Sequence, residues 1–378
     1  MLPAKRILHQ LDFLTPILIS LLAVLAALAV AAVFLIILGV DPINVYVQLV
    51  KGAVGSTYSL TQTLGKATPL LLVAIGICIS FRASVLNIGA EGQVIIGGLA
   101  TAAFALAFPD LPSWLLVTLS LLAGFAAGAL YAAIPGVLKA WFGVNEILST
   151  IMMNQIAIQI LILLLTGPLR DTAASATSAN IIQTAMITKT AWLPTLVKGS
   201  YFHTGLLLAV ALAGVIFFFL WWTVAGYRIR AVGANPAAAR YAGISVKQVT
   251  VMAMALSGGF AGLAGAVEVL GVSHRALQDF TTGYGFSGIV VALFGGLHPL
   301  GAIPAAFLFG GLLSSGSTLQ SAGVSSAMVT VLQGLVVMFV VGSSRWVQRA
   351  RRTDAPPPRA AEKADTLESA ALPKESLS

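Results

Sequence analysis

The stretch 84–98, SVLNIGAEGQVIIGG, sets a carboxylate, Glu91, between glycines, with Asn87 and Gln93 on either side. Apolar runs lie upstream and downstream of it in a chain that is 58% hydrophobic and only 9% charged. The mean hydropathy of +0.95 is far above that of a soluble globular protein, so the solvent of this chain is lipid. The question the stretch raises is why a chain that avoids charge places an acid there.

Outward from it, windows of about 20 apolar residues recur, each long enough to cross a hydrocarbon core. They fall at 16–39, 62–81, 87–107, 114–134, 145–165, 203–223 and 249–272. A glycine-broken piece at 285–297 and two further apolar stretches, 301–316 and 325–342, follow. Asp41-Pro42, Arg82, Pro135-Gly136 and Gly167-Pro168 are read as stops. The expected fold is all-α: a polytopic transmembrane helical bundle of about 8–10 spans, with discontinuous helices and an inverted repeat. Hydropathy leaves open whether 285–316 is two crossings or a re-entrant hairpin.

Three regions are expected: a cytoplasmic segment 1–15, a membrane domain 16–345, and a disordered cytoplasmic tail 346–378. With the N-terminus in the cytoplasm, Arg82, Lys139, the cluster 228–247 and Arg345 to Arg352 fall inside. Lys51, Arg170, Lys189, Lys198 and Arg275 fall outside, several of them in the external loop at about 167–202. That bias is the positive-inside pattern and puts both termini in the cytoplasm. Residues 16–39 are too long for the apolar core of a cleavable signal, and no small-x-small site follows closely. The single cysteine, Cys78, lies in an apolar run, so no disulfide forms within the chain.

Several function classes find no support. The segment TLGKAT (63–68) fails as a phosphate-binding loop because the first glycine of that motif would fall on Leu60. The histidines at 9, 203, 274 and 298 are scattered, so no zinc motif exists, and no nucleophilic triad stands out.

What stands out is acid at membrane depth: Glu91, Glu146 and Glu268 are the only carboxylates inside the expected spans. Such groups are costly there and face a bundle interior or a wet cavity. For Glu91 two readings stand. Asn87 as an N-cap would place it one turn into a helix, at the positive dipole end. Alternatively, Gly89 and Gly92 open the backbone beside a central cavity where Asn87, Glu91 and Gln93 meet a polar solute. In GVNEILSTIMMNQIAIQ (143–159), Glu146, Thr150 and Asn154 form one helical stripe, and Asn145, Ser149, Gln155 and Gln159 a second polar sector. Either the span lines a hydrophilic path, or its amides bond neighbouring helices. Glu268 is read as an ion-pair, gate or solute contact.

The halves of the chain echo each other. NIGAEGQVII (87–96) and GYGFSGIVVA (283–292) share one glycine–valine pattern, with Ser287 in the place of Glu91. The basic loop 226–248 contains GANPAAARYAGI (233–244), in which Asn235 caps, Pro236 opens and Gly243 ends a short helix. Its small, Ala-rich surface suits a protein groove better than lipid.

FRASVLNIGAEGQ (81–93), GVNEILSTIMMNQIA (143–157), GANPAAARYAGI (233–244) and GYGFSGIVVALFGGLHPLGAIPAA (283–306) resemble the membrane permeases of bacterial ABC importers. The likeness covers roughly 15–345. It lies within the branched-chain amino acid, ribose and simple-sugar permease superfamily, nearest the nucleoside importers served by binding proteins of the basic membrane protein type. The resemblance implies a multi-pass subunit of the bacterial inner membrane that is not itself an enzyme. Cytoplasmic ATPase subunits would bind ATP and magnesium, leaving this chain without a cofactor. A second permease, identical or different, and a substrate-binding lipoprotein would complete the importer, with no nucleic acid involved. Asn235, Pro236, Ala239, Arg240, Tyr241 and Gly243 would form the element that engages the ATPase. Asn87, Glu91, Gln93, Glu146, Thr150, Asn154 and Ser287 would line the path of a nucleoside. A ribose or other simple-sugar permease fits the polar groups equally well. A proton-coupled secondary transporter, with Glu91 or Glu268 carrying the proton, is the reading of a different class, and a channel is a third.

Overall fold

In the computed structural model, residues 28–321 are described apart from 38, 40, 172–181, 198 and 282, together with 26, 331, 334, 335 and 338. The expected span 16–39 is therefore described only in part. The segment 1–15, most of the stretch 325–342 and the tail 346–378 lie outside the described residues.

Twelve helices follow in order among the described residues. They are α1 (Leu28–Ile37), α2 (Pro42–Val54), α3 (Thr57–Arg82), α4 (Ala90–Ala107), α5 (Ser113–Phe142) and α6 (Glu146–Thr166), then α7 (Gly205–Trp222), α8 (Val224–Ala234), α9 (Pro236–Tyr241), α10 (Val246–Glu268), α11 (Tyr284–Phe294) and α12 (Ala302–Ser321). A π-helical turn, Val269–Ser273, extends α10. Local chemistry sets the ends. The side chains of Asp41, Ser56, Asn145, Thr223 and Asn235 each accept a backbone N–H of the helix they open. Gly143, at φ 68°, closes α5 in the left-handed conformation.

Among the described residues seven helices are long and apolar enough to cross a membrane, so the chain is a multi-pass helical bundle. Burial sorts them: α3 and α10 are 83% and 78% buried over their most apolar windows, while α6 and α7 are only 22% and 28% buried. The first pair forms the axis of the bundle, and the second pair presents apolar side chains outward.

Glycines hold the axis together. Gly124 and Gly128 of α5 face Gly258 and Gly262 of α10, the two small-residue pairs evident in the sequence. A β-carbon on Gly128 would come within 2.8 Å of the Gly262 Cα. On another side of α10, Gly262 and Gly265 lie against the backbone of α4 at Gly97 and Val94.

One local expectation is corrected, and two points left open in the sequence are described. Pro135-Gly136 does not end the fourth span: α5 runs through Pro135 to Phe142. An interior proline removes only one ladder hydrogen bond, and Pro69 is carried inside α3 in the same way. Asn87 is not the N-cap of α4, because the helix opens at Ala90 from Gly89. The third span is thus a non-helical segment, 85–89, followed by a helix. Finally, the stretch 285–316, which hydropathy leaves open between two crossings and a re-entrant hairpin, has one short helix and the start of a longer one. It is an 11-residue helix, α11, about 16 Å long, then a turn through Gly296 at φ 69° and Leu297 at φ 53°, then α12.

Arg82, Arg230 and Lys247 gather at one end of the bundle. Arg82 and Arg230 lie over the Trp221 ring at 4.7 and 5.9 Å, Ser84 Oγ donates to Gly233 O at 2.7 Å, and Lys247 lies over Trp141 at 5.8 Å. At the opposite end, Thr184 N donates to Ala276 O and Leu193 N to Leu270 O, tying the loop after α6 to the end of α10.

Candidate functional site

Two helix starts meet inside the bundle. Glu91, in the first turn of α4, accepts from Thr281 Oγ1 at 2.5 Å and from the backbone N–H of Gly285 at 2.7 Å. Gly285 lies in the first turn of α11, so the carboxylate of one helix closes the N-terminus of the other. The approach is so close that a β-carbon on Gly285 would overlap the Glu91 backbone. The two echoing glycine segments are thus in contact, with half-buried Ser287 on the same first turn of α11.

A second network holds the non-helical segment before α4. Asn87 and Gln93 exchange hydrogen bonds through both amides, at 2.8 and 3.0 Å, and Asn87 Nδ2 also donates to Ser257 Oγ on α10. Asn87 Oδ1 accepts from Gly89 N. From α6, Asn154 accepts from Gly92 N at 2.8 Å and donates to Ile88 O at 3.0 Å. These are backbone groups that a broken helix leaves without ladder partners inside a membrane protein, and the amides satisfy them. Asn154 lies eight residues into α6 and Ser257 eleven into α10, so the junction sits about 12–17 Å from that end of the bundle.

The remaining stripe residues are placed differently. Thr150 donates to Glu146 O within its own helix, and Glu146 pairs with Lys139 at the basic end of the bundle. Gln155 and Gln159 face outward.

A separate polar cavity of about 240 Å³ opens beside α3. Its walls carry Gln62 and Lys66 of α3, Tyr201 from the loop ahead of α7, Glu268 of α10 and Tyr284 of α11, with Gly65 and Val272 between them. Glu268 is 6% exposed. Lys66 Nζ donates to Leu313 O at 3.0 Å, and its charge attracts Glu268 without the two closing into an ion pair. Sequence reasoning had Glu268 but missed Lys66, Gln62 and Tyr201. The signal for Lys66 was present: a lone lysine ten residues into a 26-residue apolar helix.

Above the cavity, His203 is buried two residues ahead of α7, and its Nδ1 accepts from Gly205 N at 3.1 Å. Burial, with the neighbouring His274, holds its pKa down at about 4. His274 itself stacks on Trp192, with ring centroids 3.8 Å apart.

At the basic end, Asn235 Oδ1 accepts from Ala237 N and Ala238 N, Ala239 is buried, and Tyr241 is 96% exposed. Gly243 takes φ 78°, as the sequence required for a left-handed stop, and Arg240 lies in the last turn of α9. Arg82, Ser84, Arg230 and Gly233 wall a groove of about 530 Å³ beside this loop.

A bundle of spanning helices, broken at two facing glycine starts and holding a polar cavity, defines a membrane permease. Residues 59–341 match the family described as branched-chain amino acid transport system / permease component, and the chain belongs to that family. Its relatives include the guanosine ABC transporter permease NupP of Bacillus subtilis, 35% identical over 332 residues, which are 87% of this chain and 94% of the relative. The nucleoside ABC transporter permease NupB of Lactococcus lactis subsp. cremoris is 31% identical over 330 residues, 86% and 90% of the two chains. The glucose ABC transporter permease TsgB13 of Haloferax volcanii is 35% identical over 352 residues, 90% of each. No solved structure matches the chain.

Proposed function

We propose that this chain is a translocating subunit of an ATP-driven importer of nucleosides, paired with a second permease. The observation that carries the reading is the likeness to the guanosine permease, which extends over 94% of that relative. On this reading the capped helix α9 seats in a groove of a cytoplasmic ATPase, which binds the ATP and magnesium. The exposed Tyr241 and the positively charged Arg240 are the surface it offers. An external lipoprotein delivers the solute, the basic end faces the cytoplasm, and the membrane is the bacterial inner membrane.

Closure of the ATPases would displace α9 and, through α8 and the Ser84–Gly233 hydrogen bond, the segment that leads into α4. Asn87, Glu91, Gln93 and Asn154 act in this scheme by fixing the facing starts of α4 and α11. Thr150 and Ser287 flank that junction, and Glu146 locks the end of α6 to α5. A conformational switch needs such a junction, because two rigid starts in contact can exchange between discrete packings.

A sugar permease is the second reading, favoured by the glucose permease relative at 35% identity. The experiment is uptake of labelled adenosine and uridine in cells with and without the gene, each challenged by excess unlabelled ribose. Uptake lost on deletion and indifferent to ribose supports the nucleoside reading. Unchanged nucleoside uptake with loss of ribose or glucose uptake overturns it in favour of sugars.

A further inference from the structure

We infer that the cavity between Lys66 and Glu268 is the site that holds the ribose of a translocating nucleoside. The inference rests on the reading above and names the residues that touch the solute.

The argument begins with unused bonding capacity. At the α4–α11 junction, Asn87, Glu91, Gln93 and Asn154 are engaged with partners of this chain. Glu268 differs. It is 94% buried by its 6% exposure, it lines an open space, and it does not close onto the lysine opposite. A buried acid left without an ion pair is expensive, and so is a lysine held among apolar helices by one carbonyl. A solute that brings hydroxyl donors to the acid and an acceptor to the lysine offsets both costs.

The chemistry of the walls fits a nucleoside. The vicinal hydroxyls of a ribose donate to one carboxylate in two short charge-assisted bonds. The Lys66 ammonium donates to a ring or 5′ oxygen, and Gln62 supplies an amide nearby. Tyr201, 41% exposed on the same wall, supplies an aromatic ring for a base. The acid opposes a phosphate, so the site selects nucleosides over nucleotides. A volume of about 240 Å³ lies below the usual ligand-pocket range of roughly 300–1,000 Å³, which suits a pentose and part of a base.

The test is substrate protection in the intact transporter in cells. Cys78 is the only cysteine and is buried, so it is replaced as Cys78→Ala, and the cavity wall receives a reporter, Gln62→Cys. Adenosine uptake by this strain comes first: none in the wild type sinks the functional reading and not the site. Given uptake, saturating adenosine is expected to slow methanethiosulfonate labelling at position 62 by about tenfold. 2′,3′-Dideoxyadenosine and adenosine monophosphate are expected to protect far less. Glu268→Gln should abolish the protection by adenosine, equivalent to a loss of about 10–100-fold in apparent affinity for a charge-assisted site.

Labelling that is indifferent to adenosine in a transporting strain overturns the inference. So does protection that survives Glu268→Gln, or equal protection by the dideoxy compound, which would mark the pair as a gate. If Gln62→Cys does not transport, Val272→Cys on the same wall is read in the same way. If Glu268→Gln fails to reach the membrane, Lys66→Met carries the comparison.

Discussion

Replacing Glu91 tests whether one carboxylate holds two helix starts together. In Glu91→Ala the Thr281 hydroxyl and the Gly285 N–H both lose their acceptor in a site that is 7% exposed. Each donor left buried and unpaired costs about 1–3 kcal/mol. Losing the negative charge at the N-terminus of α11 adds about 0.3–1 kcal/mol. The expected destabilisation is therefore about 2–7 kcal/mol. Glu91→Gln keeps the shape and one oxygen for Gly285 N–H, while the Thr281 hydroxyl turns to accept from the new amide. It should cost about 1–2 kcal/mol, mostly the lost charge. Purified permease in detergent suits the measurement, because the single cysteine, Cys78, is fully buried on α3. A fluorogenic maleimide then reports the temperature at which the core opens. At roughly 2–4 °C per kcal/mol, the alanine variant should open about 10 °C early and the glutamine variant a few degrees early. Equal midpoints for the two variants would refute the reasoning, since the lost acceptors would then carry no weight.

Gly262→Ala forces a β-carbon to 2.9 Å from the Gly128 Cα and should destabilise by about 1–3 kcal/mol. Gly214→Ala, with nothing within 4 Å, should stabilise α7 by about 0.4–1 kcal/mol, and the same maleimide assay compares them. His203 is held near pKa 4 against about 6.5 when unfolded, so the unfolded chain takes up its proton first. Its contribution is intact above about pH 6.5 and falls as pH drops to 4, by about 3 kcal/mol in all. Thermal midpoints taken from pH 7.5 to 4.5 should fall less steeply in His203→Asn, which keeps an acceptor for Gly205 N. Asn235→Ala removes the acceptor of two N–H groups at the start of α9, worth about 1 kcal/mol. On the importer reading proposed above, co-purification of a partner ATPase should drop while the thermal midpoint of the bundle barely moves.

The spanning helices were legible because twenty apolar residues have one use, and α9 was legible because Asn235, Pro236 and Gly243 each act locally. The errors have physical reasons. Pro135 was read as a stop, but a single proline costs one ladder bond and α5 absorbs it. The cap reading of Asn87, one of the two the sequence leaves open, fails because its amide pairs with Gln93 and Ser257, a choice fixed by α10 rather than by neighbours in sequence. The partner of Glu91 is 194 residues away, a distance at which sequence pattern carries no signal except the shared glycine echo. Lys66 is legible as a lysine inside an expected span, but its segment TLGKAT also carries a partial phosphate-loop pattern, so composition alone does not separate the two roles.

The brevity of α11 bears on how the chain is made. A helix of eleven residues gives a translocon too little to recognise as a span, and the segment ahead of it is polar. The start of α11 is stable in lipid only when Glu91 is already there to receive Gly285, and the turn beyond it only when Arg82 Nε can donate to Leu297 O. The region 274–301 must therefore wait, during synthesis, for α3 and α4 to be seated. The expected order is that this half of the subunit seats against the other, and a ribosome stalled before residue 284 would leave a membrane intermediate whose Glu91 has no helix to close.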